Sequence, residues 1–114
     1  MQATDLANLI TSTLDENKAR DIVGLNVSDL TTVTDYMIIC TANSSRQVNA
    51  LVDKVTRACR EQEIRPLNSL ERSDSDWQLL DYSDVIVHIM LAESREFYQL
   101  EKLWDKAQAE RPES

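Results

Sequence analysis

The side chains that could form a nucleophilic or metal site are two cysteines and one histidine, Cys40, Cys59 and His88. A nucleophilic site would combine a cysteine thiolate with His88 and an acid such as Asp81 or Asp84. Both cysteines instead occur within apolar patterns, where a thiol packs as a small apolar side chain and is not readily ionised. Zinc needs about four ligands, and these three residues match no zinc-binding spacing. The sequence therefore predicts no catalytic cysteine, no disulfide, no metal and no other cofactor.

A polar turn, Asn43-Ser44-Ser45-Arg46, follows an apolar segment and is a candidate phosphate site. Backbone N–H groups and hydroxyls at the start of a helix can hold a phosphate. The turn contains no glycine, so it matches neither the dinucleotide-binding fingerprint nor the P-loop. Capping of the helix that follows explains the same residues. The motif therefore does not indicate nucleotide binding.

A tryptophan next to acidic residues is typical of a surface that binds another protein. Trp77 follows Asp74-Ser75-Asp76 and, in a strand, shares a face with Leu79 and Asp81. Tryptophan is a frequent interface anchor, and simple filling of the core explains Trp77 equally well. Tyr82 is expected to place its ring in apolar surroundings and its hydroxyl at a wet interface.

The single histidine, His88, shares a strand face with Ile86 and Met90. A lone histidine in such a pattern is more often a hydrogen-bonded structural or interface residue than a catalytic one. We therefore expect a hydrogen-bonded side chain with no part in catalysis.

The chain is acidic, with 12 Lys and Arg against 20 Asp and Glu and a formal charge of −8. A molecule of this charge is repelled by phosphate backbones, so direct nucleic-acid binding is disfavoured. Between Glu71 and Asp84 there are five acids and one base, Arg72. Such a segment suits a basic protein partner through charge complementarity, although a solvated loop is the simpler alternative.

Length and composition are those of one compact domain, since 42% of the 114 residues are hydrophobic and only three are Gly or Pro. We expect a single domain over residues 1–110 and a frayed tail over residues 111–114. No apolar run approaches the roughly 18 residues of a membrane-spanning helix, and the amino terminus lacks the basic start and apolar stretch of an export signal. The sequence predicts a soluble cytoplasmic protein that enters no membrane.

The helices that must position these residues follow from apolar spacing of about 3.6 residues. A first helix is predicted over residues 3–17, and a second from the Asn43-Ser44-Ser45 cap to near Glu63. A third helix is predicted to begin at a Ser94 cap. Its buried face is expected to contain Phe97, Leu100, Leu103, Trp104 and Ala107.

Strands are predicted where apolar residues alternate or run densely, over residues 21–27, 35–41, 77–82 and 85–91. Ser83-Asp84 makes a tight turn between the last two, which form a hairpin. Residues 64–70 contain Pro66, which has no N–H to donate, so this segment is an edge strand or an extended connection.

This order of elements predicts an α/β domain with a mixed β-sheet and helices mainly on one face. The other face is then left with apolar residues that need a neighbour, either a second copy or a partner protein. The predicted geometry favours an interaction protein.

Four stretches, taken together and in order, resemble the ribosomal silencing factors, also called the RsfS or Iojap-related family. They are Lys18–Val23, Asp35–Val48, Trp77–Met90 and Arg95–Trp104. The resemblance implies a nucleotidyltransferase-like fold without the catalytic carboxylates of that fold. It also implies binding without catalysis: family members bind protein fourteen of the large ribosomal subunit, block joining of the small subunit and lower translation when nutrients are scarce.

The family signature falls on the hairpin and on the last helix, where it includes Arg95, Tyr98 and Trp104. In the hairpin, the resemblance implies that Trp77 and Leu79 are apolar anchors and that Asp81 and Asp84 face cationic groups. His88 is expected to hydrogen-bond across the sheet face. The partner-binding residues expected on this ground are Trp77, Leu79, Asp81, Tyr82, Asp84 and His88.

Three positions depart from the family pattern. Ala42 and Ser83 stand where the family usually has glycine, and Arg72 replaces the glycine of a Glu-Gly pair before the tryptophan strand. Losing glycine restricts turns that need a positive φ, so these departures bear on loop geometry.

Two alternatives and one further expectation remain. A nucleotidyltransferase-like enzyme would need two or three carboxylates converging on a metal beside a Gly-Ser turn. An adaptor for another basic protein would have the same acidic hairpin, but its capture from a cell lysate would not recover components of the large ribosomal subunit. The exposed sheet face could also pair two copies, so we expect a homodimer in the free protein.

Overall fold

The computed structural model describes residues 1–68 and 76–98. Within these ranges the chain forms three helices, α1 (Ala3–Glu16), α2 (Ser45–Glu61) and α3 (Ala92–Tyr98), and four strands, β1 (Arg20–Asn26), β2 (Tyr36–Ala42), β3 (Trp77–Asp81) and β4 (Val85–Leu91). The predicted mixed α/β class is confirmed.

The four strands form one mixed sheet in the order β1-β2-β4-β3. The β1–β2 and β3–β4 pairs are antiparallel, and the central β2–β4 pair is parallel. A parallel pair needs a crossover, and α2 lies in the connection between these two strands. Strands β2 and β4, which have the dense apolar sequences, are therefore the two central strands, because each is paired with another strand on both sides.

Helices α1 and α2 cover one face of the sheet. Ile10 and Leu14 of α1 and Val55 of α2 are fully buried in the same core as Ile38 and Val87 of the central strands. The Ser44 hydroxyl accepts a hydrogen bond of 3.1 Å from the Gln47 N–H, which caps α2 as its sequence predicts.

The opposite face is also buried within one chain, contrary to the expectation of an uncovered apolar surface. Its core consists of Leu25, Val27, Met37, Ile39 and Met90, none more than 8% exposed. The prediction placed the helices mainly on the other face, whereas Arg95 of α3 donates to Thr41, which lies on the same face of β2 as Met37 and Ile39. At the β3–β4 end of this face, Trp77, Leu79 and Ile86 are each half-buried.

Residues 64–68 form an extended connection along the outer edge of β3, and no strand. The Leu67 N–H donates to the Asp81 carbonyl at 2.7 Å. The Asn68 side chain donates to the Leu79 carbonyl at 2.7 Å and accepts from the Asp81 N–H at 2.9 Å. An amide side chain thus satisfies an edge that would otherwise offer free hydrogen-bonding groups to another strand.

The third helix begins earlier than predicted. It follows β4 directly at Ala92, so Ser94 lies inside α3 and is not its cap. The described part of α3 ends at Tyr98, and the side chain of Phe97 lies outside the description. Several other predicted features also lie outside the described residues. They are the helix residues Leu100, Leu103, Trp104 and Ala107, the departure from the family pattern at Arg72, and the tail at 111–114.

The two described departures from glycine differ in backbone conformation. Ser83, in the turn between β3 and β4, has φ 71°, in the left-handed region that favours glycine. Ala42 is a buried residue at the end of β2 and has no positive φ. A serine at position 83 therefore strains the turn, whereas alanine at position 42 does not.

We expect Ser83→Gly to raise the free energy of unfolding by about 0.5–1 kcal/mol. Relief of a left-handed serine, worth about 1–2 kcal/mol, exceeds the extra entropy that glycine adds to the unfolded chain. Ala42→Gly is the matched control, and it should lower stability by about 1 kcal/mol because it removes a buried methyl from a strand. Urea unfolding measures both, and a Ser83→Gly protein no more stable than the parent would contradict the strain.

Candidate protein-binding surface

The hairpin places three of the predicted partner-binding residues on one side of an edge strand. Alternation along β3 directs Trp77, Leu79 and Asp81 to the face opposite α1 and α2, and all three are half-buried. The register sets Asp81 beside Ile86, which is also half-buried. We call these four residues, together with the exposed Asp84 of the turn, the hairpin surface.

Trp77 is fixed in this surface by a histidine beneath it. The Trp77 Nε1–H donates to His88 Nδ1 at 2.9 Å, and the two ring centroids are 5.6 Å apart with a tilt of 44°. His88 is only 7% exposed. The hydrogen bond expected for His88 across the sheet face is therefore present, with Trp77 as its partner.

Burial lowers the pKa of His88 to about 4, because desolvation disfavours the imidazolium. At neutral pH the ring is uncharged, and Nδ1 has the lone pair that accepts the indole N–H. A protonated Nδ1 could not accept this bond. The placement of the tryptophan thus depends on a neutral histidine.

The acidic residues of the hairpin lie at the turn. Asp81 Oδ1 accepts from the Ser83 N–H at 2.9 Å, so this carboxylate stabilises the turn as well as carrying charge. The Asp84 carbonyl accepts from the N–H groups of Asp35 and Tyr36, each at 3.0 Å, which ties the turn to the start of β2. Asp35 and Asp84 are exposed, so this end of the sheet presents several carboxylates together.

Sequence reasoning missed residues that lie close to this end of the sheet. The connection between β1 and β2 leaves Leu30 40% and Val33 71% exposed. It returns to β2 where the Val27 N–H donates to the Asp35 carbonyl at 2.9 Å. Exposed apolar side chains in a loop have no periodic signal, so only the fold brings them near the acidic turn.

Tyr82 does not belong to the hairpin surface, contrary to the expectation of a hydroxyl at a wet interface. It is 6% exposed and packs in the core beneath α1 and α2. Its hydroxyl is buried next to the Cys59 thiol, and burial raises the pKa of Tyr82. The neighbouring Cys59 thiol also has a raised pKa because of burial. Tyr82 follows Asp81 in sequence, but its side chain points to the opposite side of the sheet.

Both cysteines are buried free thiols. Burial raises the pKa of Cys40 to about 12, so neither Cys40 nor Cys59 is an accessible thiolate. Among residues 1–68 and 76–98 there is also no cluster of three or more His, Cys, Asp or Glu side chains that could hold a metal ion. In the same ranges, no helix is both long and apolar enough to cross a membrane.

Arg95, a signature residue of the last helix, connects that helix to the sheet. Its Nη1 donates to the Asp21 carbonyl and, at 2.9 Å, to the Thr41 hydroxyl. Asp21 lies where the β1–β2 register shifts and has φ 50°. Arg95 therefore stabilises α3 and the irregular start of β1.

The titration of His88 predicts a pH dependence of stability. Because the folded pKa of about 4 lies below the value of about 6.5 in the unfolded chain, the unfolded state binds the proton first as pH falls. The free energy of unfolding contributed by this group should decrease between about pH 6.5 and 4, by at most about 3 kcal/mol. His88→Asn, whose amide oxygen can accept the Trp77 N–H without titrating, should remove this part of the dependence. Identical pH profiles of the two proteins in urea unfolding would contradict the assignment.

Comparison with known proteins places the chain in a family. A sequence model of the family described as "Ribosomal silencing factor during starvation" matches residues 1–114. The chain is 41% identical over 99 residues to the Ribosomal silencing factor RsfS of Haemophilus influenzae, covering 87% of this chain and 97% of that protein. It is 34% identical to mouse Mitochondrial assembly of ribosomal large subunit protein 1 and covers 44% of its length.

A crystal structure of a protein from Chromobacterium violaceum has the same fold. The two structures superpose with a TM-score of 0.87 at 34% sequence identity, over 92% of this chain and 88% of the other. With a family match along the whole chain, relatives above 30% identity and a shared fold, the chain belongs to the RsfS family of ribosomal silencing factors.

Proposed function

We propose that this protein binds protein fourteen of the large ribosomal subunit through the hairpin surface and sterically blocks joining of the small subunit. The effect would be to lower translation when nutrients are scarce. The observation that carries the proposal is the half-buried Trp77, held by the buried His88 at the edge of the sheet and next to carboxylates. The family membership supplies the ribosomal context.

The hairpin surface has the make-up of a protein-binding site. Trp77 and Leu79 offer apolar area at the centre, and a tryptophan already fixed by a hydrogen bond loses little conformational entropy on binding. Asp81 and Asp84 lie towards the turn, where charges act on encounter rate and orientation more than on affinity. A basic partner with an apolar pocket fits this arrangement.

The mechanism requires no chemistry. A folded domain seated on the face where the subunits meet occupies space that the small subunit needs. The net charge of −8 adds to specificity, because most of the molecule is repelled by RNA surfaces that it should not cover. The protein acts on the population of joined ribosomes by mass action.

Self-association through the same surface would compete with ribosome binding. Most apolar residues of β1 and β2 on this face are buried within one chain, and the hairpin surface carries half-buried apolar side chains that a second copy could cover. We propose that the free protein forms a homodimer there and that the dimer opens on binding. A covalently cross-linked dimer that bound large subunits as well as the uncross-linked protein would contradict this.

Sucrose-gradient sedimentation of purified subunits tests the proposal. The wild-type protein should migrate with the large subunit and reduce the fraction of joined particles. Trp77→Ala should weaken binding by about 30-fold or more, as expected for a central interface tryptophan. Leu79→Lys, which places a cation opposite a basic partner and removes no hydrogen bond, should weaken it as well.

Tyr82→Phe is the matched control, because it changes a neighbouring aromatic residue that is buried away from the hairpin surface. It should bind and block joining as the wild type does. Wild-type protein that stays at the top of the gradient while the subunits join normally would refute the function. Wild-type binding that neither Trp77→Ala nor Leu79→Lys weakens would refute the hairpin surface as the contact.

A further inference from the structure

The solvent face of α2 concentrates positive charge in an acidic protein. Residues 45–65 contain five bases and three acids, whereas the remainder of the chain has seven bases and seventeen acids. All five basic side chains are exposed. We call this set the α2 basic face: Arg46, Lys54, Arg57, Arg60 and, just beyond the helix, Arg65.

The helical members of the face form one stripe. At about 100° per residue, Arg46, Lys54, Arg57 and Arg60 fall within an arc of about 120°, and the stripe is about 21 Å long. No ion pair involves these side chains within the part of the chain that the structure describes. Two acids fall within the same arc, the half-buried Asp53 and the exposed Glu61, and the exposed Glu63 follows just beyond the helix.

The stripe ends in an open cleft of about 290 Å³ between α2 and the connection along β3. The cleft is lined by Thr56, Arg60, Ile64, Arg65, Pro66 and Asn68, with no carboxylate among them. The Asn68 amide is occupied by the backbone of β3, and the Thr56 hydroxyl donates to the Asp53 carbonyl. The two guanidinium groups are therefore the available donors, and their fork geometry suits phosphate.

This cleft lies beside the hairpin surface. Asn68 lines the cleft, and the same side chain bonds the backbone of Leu79 and Asp81. The cleft and the hairpin surface are thus on either side of one edge strand. Arg60 and Arg65 therefore lie near the edge strand that carries the hairpin surface, on the side of α2.

The α2 basic face lacks the features of a protein-binding site. On the helix itself, the exposed uncharged residue of this face is Ala50, and α2 has no exposed aromatic or large apolar side chain; the exposed Leu67 lies on the connection beyond the helix. Contact with a phosphate backbone needs only positioned cations. We propose that the α2 basic face binds the phosphate backbone of ribosomal RNA next to the protein that the hairpin surface contacts. The contact is independent of RNA sequence, and the proposal rests on the proposed function.

The salt dependence of binding to large subunits tests this. Each phosphate contact contributes a slope of about −0.7 to −0.9 in log K against log [KCl]. Removing two contacts with Arg60→Gln, Arg65→Gln should make the slope shallower by about 1.5. Between about 50 and 200 mM KCl, the wild type should then lose about eightfold more affinity than the variant. An unchanged slope would overturn the proposal.

A control variant with Asn8→Asp and Ser12→Asp changes the net charge by the same amount on the exposed side of α1. It should keep the wild-type slope. A slope as shallow as that of the arginine variant would show that net charge alone sets the salt dependence, and would overturn the proposal. Glu61→Gln, which removes an acid from the α2 stripe, should strengthen binding.

Photo-cross-linking identifies the class of molecule at the α2 basic face. Ala50→Cys introduces an accessible thiol at the centre of the stripe, and the native thiols of Cys40 and Cys59 are buried. A benzophenone probe at position 50 should cross-link large-subunit RNA, whereas a cross-link to protein alone would overturn the proposal.

Failure of the proposed function is distinguishable from failure of this inference. If the wild type does not bind large subunits at any salt concentration, the proposed function fails. Fluorescence anisotropy with a short labelled RNA duplex then tests the inference. Weak binding of the duplex by the wild type at low salt, and its loss in the Arg60→Gln, Arg65→Gln protein, would support the RNA contact. Absence of a difference between the two proteins would overturn it.

Discussion

The parallel pair of β2 and β4, buried on both faces, is the constraint on which the rest of the structure depends. Helices α1 and α2 pack against one face, and a second apolar core fills the other. A polar residue in β4 must therefore be neutral and hydrogen-bonded. His88 meets both conditions through its bond with the Trp77 indole. Because His88 in the centre of the sheet needs a hydrogen-bond partner, its bond to the indole holds Trp77 in place at the edge.

Sequence reasoning predicted the elements whose signals are local. Both central strands are dense apolar runs, and α2 has a serine cap followed by an apolar stripe that ends in a packed core. The hairpin follows from two strands separated by a short polar turn. Each of these depends on side chains within one segment, so the pattern alone is sufficient.

The features that sequence reasoning missed depend on tertiary packing. Tyr82 and Asp81 are adjacent in the chain, yet one is buried under the helices and the other lies on the hairpin surface, because the strand alternation continues into the turn. Ser94 has the residue type of a helix cap, but β4 passes directly into α3 at Ala92 and leaves no place for a cap. That Asn68 would cover the edge of β3 could not be predicted, because its partners are more than ten residues away.

The net charge of the protein conceals two surfaces of opposite sign. Asp81 and Asp84 give the hairpin surface a negative rim, whereas α2 presents a row of cations around the edge of β3. Ribosomal proteins lie among RNA phosphates, so a binder of such a protein meets both signs of charge. An acidic hairpin and a basic helix on either side of one strand match that environment.

The central claim is that His88 makes the binding surface by holding Trp77. The most direct measurement is calorimetric titration of purified ribosomal protein fourteen into the wild type, His88→Asn and His88→Phe. Asparagine can accept the indole N–H and phenylalanine cannot, so the account predicts wild-type affinity for His88→Asn and a clear loss for a folded His88→Phe protein. Equal affinities of all three, or no binding by the wild type, would contradict it.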